Sequence, residues 1–194
     1  MSKIIDFYFD FISPYSYIAH QKIKSLEEKN EIKFNYKPIL LGGLHKLGNI
    51  TAPAFNERKI KNMKNDCELI SKKNNISFKW NDKFPINSLY LMRGFISIDP
   101  NFKDQYLDIC FDSYWKNNKD ISVDKNLDNI LDNCKIDKKK FYTLINDHKI
   151  KDKLKYFTDQ AFELGVFGAP TFIVNNKLFW GQDRLEYALD ECNS

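Results

Sequence analysis

From Ile4 to Ile12 the chain is an almost continuous aromatic and β-branched run. That pattern belongs to a strand covered on both faces. Ser13-Pro14 follows at once. Ser is a favoured N-cap and Pro suits the first helical position, so a helix is predicted to start here. Its apolar stripe runs Tyr15, Ile18, Ala19, Ile23 and Leu26. Ile32, Phe34 and Tyr36 then alternate with polar residues, which predicts a second strand ending near Pro38. Strand, helix, strand at this spacing is a βαβ unit with parallel strands and a right-handed crossover.

Gly42, Gly43, Gly48 and Pro53 mark the stretch from Leu41 to Pro53 as a loop. The long middle that follows keeps helical spacing: Phe55, Ile60, Met63, Cys67 and Ile70; Leu89, Met92, Phe95 and Ile96; Phe102, Tyr106, Ile109 and Cys110; Leu127, Ile130, Leu131 and Cys134. Ile150, Leu154, Phe157, Ala161 and Leu164 form a further stripe, with Gly165 where a helix C-terminal glycine is expected. Two short strands, Phe172 to Val174 and Leu178 to Trp180, then flank Asn175-Asn176, residues that tolerate the positive φ of a tight hairpin. Arg184 to Cys192 closes as a helix. The order is therefore βαβ, helical block, helix, ββα. With no repeat, low-complexity tract or flexible linker, the helical block is expected to be an insertion in one α/β domain.

Composition narrows the classes. The chain has 194 residues, with 43% hydrophobic, 29% charged, 16 Phe and 10 Tyr, enough for one substantial core. The net charge of +4 comes from mixed signs, and no basic patch with interleaved aromatics points to nucleic acid. No apolar stretch approaches the roughly 18–20 residues of a membrane span. Met-Ser-Lys-Ile-Ile-Asp6 lacks the make-up of a signal peptide. Cys67, Cys110, Cys134 and Cys192 are far apart, with no Cys-x-x-Cys pair, and are expected to be reduced thiols of a cytoplasmic protein. No His, Cys and carboxylate cluster has metal-ligand spacing.

Three places carry candidate chemistry. Ser13-Pro14-Tyr15-Ser16 sits where a buried strand turns into a helix. Helix N-termini favour anions, and a thiolate is one; a hydroxyl held there adds a charge-assisted hydrogen bond. Ser13 is thus either a helix cap alone or the group that stabilises a ligand's thiolate. Gly168-Ala169-Pro170 precedes a strand, and a cis bond before Pro170 would leave the Ala169 carbonyl and N–H free for a peptide-like ligand. In Trp180-Gly181-Gln182-Asp183-Arg184, Asp183 is expected in the first turn of the last helix, either as a cap or as part of a receptor for an amino-acid end. Of the histidines, His20 is read as a surface or packing residue, His148 as solvated, and His45 as the one near the proposed pocket.

These three segments in this order, around a helical insertion, resemble the 2-hydroxychromene-2-carboxylate isomerase family and the related kappa-class glutathione transferases, in the DsbA-like branch of the thioredoxin superfamily. Asp6 to Tyr17 is similar to the family's opening, Gly165 to Thr171 to its proline loop (with Ala169 where Val is common), and Phe179 to Leu185 to its C-terminal signature. Gly48-Asn49, Lys59, Asn65-Asp66 and Phe84 to Ser88 fall where the family has similar segments. The resemblance implies a thioredoxin-like part over about 1–40 and 160–194 and an all-helical insertion over about 41–159. It implies glutathione as cofactor, with Ser13 in place of a redox domain's first cysteine. Ala169 would pair with the tripeptide's cysteinyl backbone, and Trp180, Gly181, Gln182 and Asp183 would hold the rest. Asn49, Lys59 and Asn87 would line the substrate side. Some members carry a substrate-contacting Lys just before the Gly-Asn pair; here Leu44-His45-Lys46 is shifted, leaving His45 or Lys46 as the stand-in.

The activity so implied belongs to aromatic catabolism. Glutathione's thiolate adds to a hydroxychromene carboxylate, a bond rotates, and glutathione leaves with an open-chain benzylidenepyruvate formed. A transferase acting on other electrophiles stops after addition. A disulfide oxidoreductase is disfavoured because Ser13 and Ser16 fill both cysteine positions. A glutathione- or peptide-binding module without chemistry is the remaining alternative. A homodimer is expected by analogy alone.

Overall fold

The computed structural model describes residues 4–27 and 32–194. The Met1–Lys3 stretch read for a leader therefore lies outside the described residues. Strand β1 (Ile4–Phe9) leads into helix α1 (Pro14–Glu27), which returns to strand β2 (Lys33–Pro38). β1 and β2 pair in parallel from Ile4↔Lys33 to Phe9↔Pro38. Strands β3 (Thr171–Val174) and β4 (Lys177–Trp180) form a hairpin whose β3 lies antiparallel to β1. The sheet order is β2-β1-β3-β4. Asn175 and Asn176, at φ 49° and 60°, make the turn as the sequence predicts.

β1 is covered on both faces, though it is shorter than its apolar run. Ile5, Phe7 and Phe9 are fully buried in the main core, and Tyr8 packs on the opposite face with Ile39, Leu44, Ala161 and Val166. Ile4 is exposed. The strand stops at Phe9 because Asp10 folds the backbone: its carboxylate accepts the Ile12 N–H (3.1 Å) and its carbonyl the Ser13 N–H (3.0 Å).

The segment read as a loop from Leu41 is instead helix α2 (Leu41–Leu47). Two glycines argue against a helix locally, and the N-cap position, Leu40, offers no capping side chain. Groups distant in sequence supply the caps. Thr158 Oγ1 accepts the Leu40 N–H (3.0 Å) and Asp10 Oδ2 the Leu41 N–H (2.8 Å). Helices α3 (Glu57–Lys73), α4 (Leu89–Ser97), α5 (Lys103–Trp115) and α6 (Asp124–Asn133) follow the stripes. Helix α7 (Lys138–Asn146), which the stripes did not include, and α8 (His148–Glu163) begin at Asp137 and Asp147, each of which caps its own first turn. Gly165 follows α8 at φ +85°. A single turn over Gln182–Arg184 opens α9 (Leu185–Asn193).

One hydrophobic cluster joins Ile5, Phe7 and Phe172 of the sheet with Leu91, Trp115 and Phe141 of the helical block. Trp115 Nε1–H donates to the Phe11 carbonyl (2.8 Å), tying α5 to the strand end that leads to Ser13.

Candidate active site

Ser13 is buried at the head of α1 and uses its hydroxyl twice. Oγ accepts the Ser16 N–H (3.1 Å), capping the helix, and donates to the Ala169 carbonyl (2.8 Å). The first and second candidate segments therefore touch. The Ala169–Pro170 bond is cis. The Ala169 carbonyl, expected to be free, is instead taken by Ser13. Few amides of α1 remain open: Pro14 has none, Ser16 N–H is capped, and Tyr17 N–H bonds the Ser13 carbonyl (3.1 Å). Tyr15 N–H has no acceptor among the described residues. The helix terminus thus offers one amide and one hydroxyl.

The third segment closes on the second. Gly181 N–H donates to the Pro170 carbonyl (2.9 Å), so it is not open to a ligand. Gly181 takes φ +109°, and Asp183 folds back over it: a Cβ there would meet Asp183 Oδ1 at 2.5 Å. Asp183 lies in the single turn before α9, not in α9 itself, and pairs with Arg184 on the surface. Gln182 turns inward and accepts from Lys22 Nζ (2.6 Å). Burial lowers the Lys22 pKa, with Glu186 and Asp183 opposing that shift. Trp180 stays half-exposed, its ring 4.9 Å from the Phe167 ring.

The insertion residues lie around this centre with local partners. Asn49 is exposed at φ 51° after α2, and Asn87 Oδ1 accepts the Leu89 N–H (3.0 Å) before α4. Lys59 is exposed in the first turn of α3, its N–H on Asn56. His45, on α2, is half-buried, and burial lowers its pKa, favouring the neutral ring. α3 is tied to the site by Tyr15, whose hydroxyl donates to Asp66 Oδ2 (2.8 Å); burial and that carboxylate push the phenol far above its usual range. Ser16, at the second cysteine position, is fully buried, its hydroxyl without a partner among the described residues. His20 is buried between Tyr36 and Asp108, so packing is its role, while His148 is solvated and faces Asp152.

Sequence reasoning passed over Lys22 and Asp10. Both left a signal: Lys22 falls on the apolar stripe of α1, four residues after Ile18, and Asp10 is a carboxylate inside an apolar run. No group of three or more His, Cys, Asp or Glu among the described residues could hold a metal. No helix there is long and apolar enough to cross a membrane.

The strand-to-helix serine, the cis-proline loop against it and the helical block between sheet halves define a class. Residues 4–192 match the family described as DSBA-like thioredoxin domain, and the chain belongs to it. The chain is 27% identical over 193 residues to a 2-hydroxychromene-2-carboxylate isomerase of Sphingobium xenophagum, covering 96% of each chain. It is 21% identical over 199 residues to glutathione S-transferase kappa 1 of Rattus norvegicus, covering 95% of this chain and 88% of the relative. A solved 2-hydroxychromene-2-carboxylate isomerase superposes with a TM-score of 0.87 at 24% identity, covering 96% of this chain and 93% of that one.

Proposed function

We propose that the protein is a glutathione-dependent enzyme of the 2-hydroxychromene-2-carboxylate isomerase kind, acting on a small electrophilic aromatic substrate. The observation that carries this is the Ser13 hydroxyl, buried at a helix head and bonded to the proline-loop carbonyl of Ala169. Serine at both cysteine positions removes disulfide chemistry and leaves a place for a ligand's sulfur. When bound, glutathione supplies a thiolate nucleophile.

The chain's own groups have defined tasks in this reading. Ser13 turns its O–H from Ala169 toward the sulfur and, with Tyr15 N–H, lowers the thiol's pKa. The carbonyl that Ser13 releases accepts an amide N–H of the tripeptide. Gln182, held by Lys22, and exposed Asp183 meet the charged end, while Trp180 covers the backbone. Asn49, Lys59, Asn87 and neutral His45 form the substrate side, offering donors to a carboxylate. The division into a thioredoxin-like part, 1–40 and 160–194, and a helical insertion, about 41–159, belongs to the same proposal. So does a reducing, cytoplasmic setting, supported by the burial of Cys67, Cys110 and Cys134. A kappa-like glutathione transferase is the second reading, favoured by the similarity to the rat enzyme.

Calorimetry with glutathione, followed by the ultraviolet thiolate band, tests the proposal on the native protein and on Ser13→Ala. The variant is expected to bind glutathione, to raise its thiol pKa and to lose about a hundredfold or more in turnover, the usual cost of one donor to a developing charge. An unchanged thiolate band overturns the role of Ser13. Binding without turnover on the chromene carboxylate or on any other electrophile tested leaves only a binding module.

A further inference from the structure

Asp10 is fully buried at the end of β1, and every hydrogen bond to its carboxylate comes from a neutral group. Oδ1 accepts the Ile12 N–H and Oδ2 accepts the Leu41 N–H, and the nearby Ser88 hydroxyl favours the charged carboxylate. Those donors come from three separate places: the turn that carries Ser13, the first residue of α2, and the residue just before α4. The starts of three helices therefore converge on one side chain.

The helices are built as if to need it. α2 has no capping side chain of its own, and Ser88, at the N-cap position of α4, does not cap α4. Its hydroxyl instead acts on Asp10, favouring the ionised form. A buried carboxylate without a cation is costly. Burial pushes the Asp10 pKa up, and the bonds from Leu41, Ser88 and Ile12 oppose the shift. An apolar residue would avoid that cost but would leave the Ile12 and Leu41 N–H groups without an acceptor.

We propose that Asp10 is a positioning residue, which fixes the substrate-side segments of the insertion relative to Ser13. Through Leu41 it sets α2, which leads to His45 and Asn49. Through Ser88 it sets the approach to α4, where Asn87 stands. Through Ile12 and its own carbonyl it shapes the turn ending in Ser13. This rests on the reading that Ser13 and these segments serve one site. The acid is specific because its oxygens only accept. Asn has one accepting oxygen, and its NH2 would face an N–H or O–H that also donates.

The test uses native protein, Asp10→Asn and Ser88→Ala, with two readouts. Amide hydrogen exchange reports the tie itself. Kinetics of glutathione's displacement of chloride from a chlorodinitrobenzene report its effect on the site. In Asp10→Asn the Leu41 amide is expected to exchange about tenfold faster or more, the range for leaving a buried donor unpaired, while β1–β2 ladder amides keep their protection. Glutathione affinity should change little, and KM for the electrophile should rise by roughly tenfold, with kcat less affected. Ser88→Ala removes the hydroxyl beside the carboxylate and should shift KM in the same direction by less; it decides the matter if Asp10→Asn does not fold. Unchanged Leu41 exchange or unchanged KM overturns the proposal, as does a uniform loss of all parameters in step with lost folded protein. If native protein fails to bind glutathione, the function proposed above falls, and the exchange arm still judges the tie.

Discussion

At Gly168 the missing side chain lets the proline loop meet Trp180. A Cβ there would lie 2.6 Å from the indole nitrogen. The indole is half-exposed and leans on Phe167, so it can yield without disturbing the core. Gly168→Ala is therefore expected to leave the melting temperature nearly unchanged while weakening glutathione binding by about tenfold, through a displaced ring. Calorimetry and tryptophan fluorescence measure both. Residues at this scale were legible where their neighbours in sequence carry the reason. Ser13 precedes a proline at a strand-to-helix junction, and both asparagines of the hairpin precede a strand. Lys22 and Asp10 were not read, because their partners Gln182 and Leu41 lie 160 and 31 positions away.

Among the elements, α4 packs closely on α5 and α7 at Gly94. A Cβ on Gly94 would run into the Tyr106 hydroxyl and the Phe141 ring, both deeply buried. Tyr106 is further fixed by donating to the Leu91 carbonyl (3.1 Å). Gly94→Ala should gain about 1 kcal/mol in helix propensity and lose about 1–3 kcal/mol by overpacking. The net loss of about 0–2 kcal/mol lowers the melting temperature by up to roughly 8 °C in calorimetric scans. Most helices were legible because their apolar stripes face one shared core. The outlying case is α2, where glycines spoke for a loop and the deciding groups, Thr158 and Asp10, lie elsewhere in the chain. Of the site, the three motif segments could be read in order, but not that Ser13 occupies the Ala169 carbonyl, since a contact across 156 positions leaves no local pattern.

For the molecule as a whole, a polar network running from buried His20 out to half-exposed Asp108 and Lys24 joins helix α1, strand β2 and helix α5. His20 Nδ1 meets the Tyr36 hydroxyl (2.7 Å), His20 Nε2 meets Asp108 (2.7 Å), and Lys24 Nζ donates to Asp108 (2.6 Å). Burial pushes the Asp108 carboxyl up, but the His20 and Lys24 bonds outweigh it and hold the pKa below its usual value. A depressed carboxylate stabilises above its unfolded pKa, and that contribution is lost as pH falls through the folded value. Asp108→Asn should therefore cost about 1 kcal/mol near neutrality, discounted for partial exposure, with the gap to native closing in acid below about pH 4. Urea melts across that range measure the convergence. Asp10 acts in the opposite sense. Its raised pKa makes the fold less stable as pH climbs from about 4 toward its folded value, so the two acids oppose each other.

Under the proposed function, the bond from Ser13 to the Ala169 carbonyl has a consequence for the choice of thiol. Any sulfur that recruits the hydroxyl strands that carbonyl unless the same molecule brings an N–H to replace it. A small mercaptan has none, and leaves a partly buried acceptor empty at a cost of about 1–3 kcal/mol. A cysteinyl peptide brings both groups at once. Under the proposed function the resting contact would therefore work as a filter, disfavouring simple thiols and favouring cysteinyl peptides.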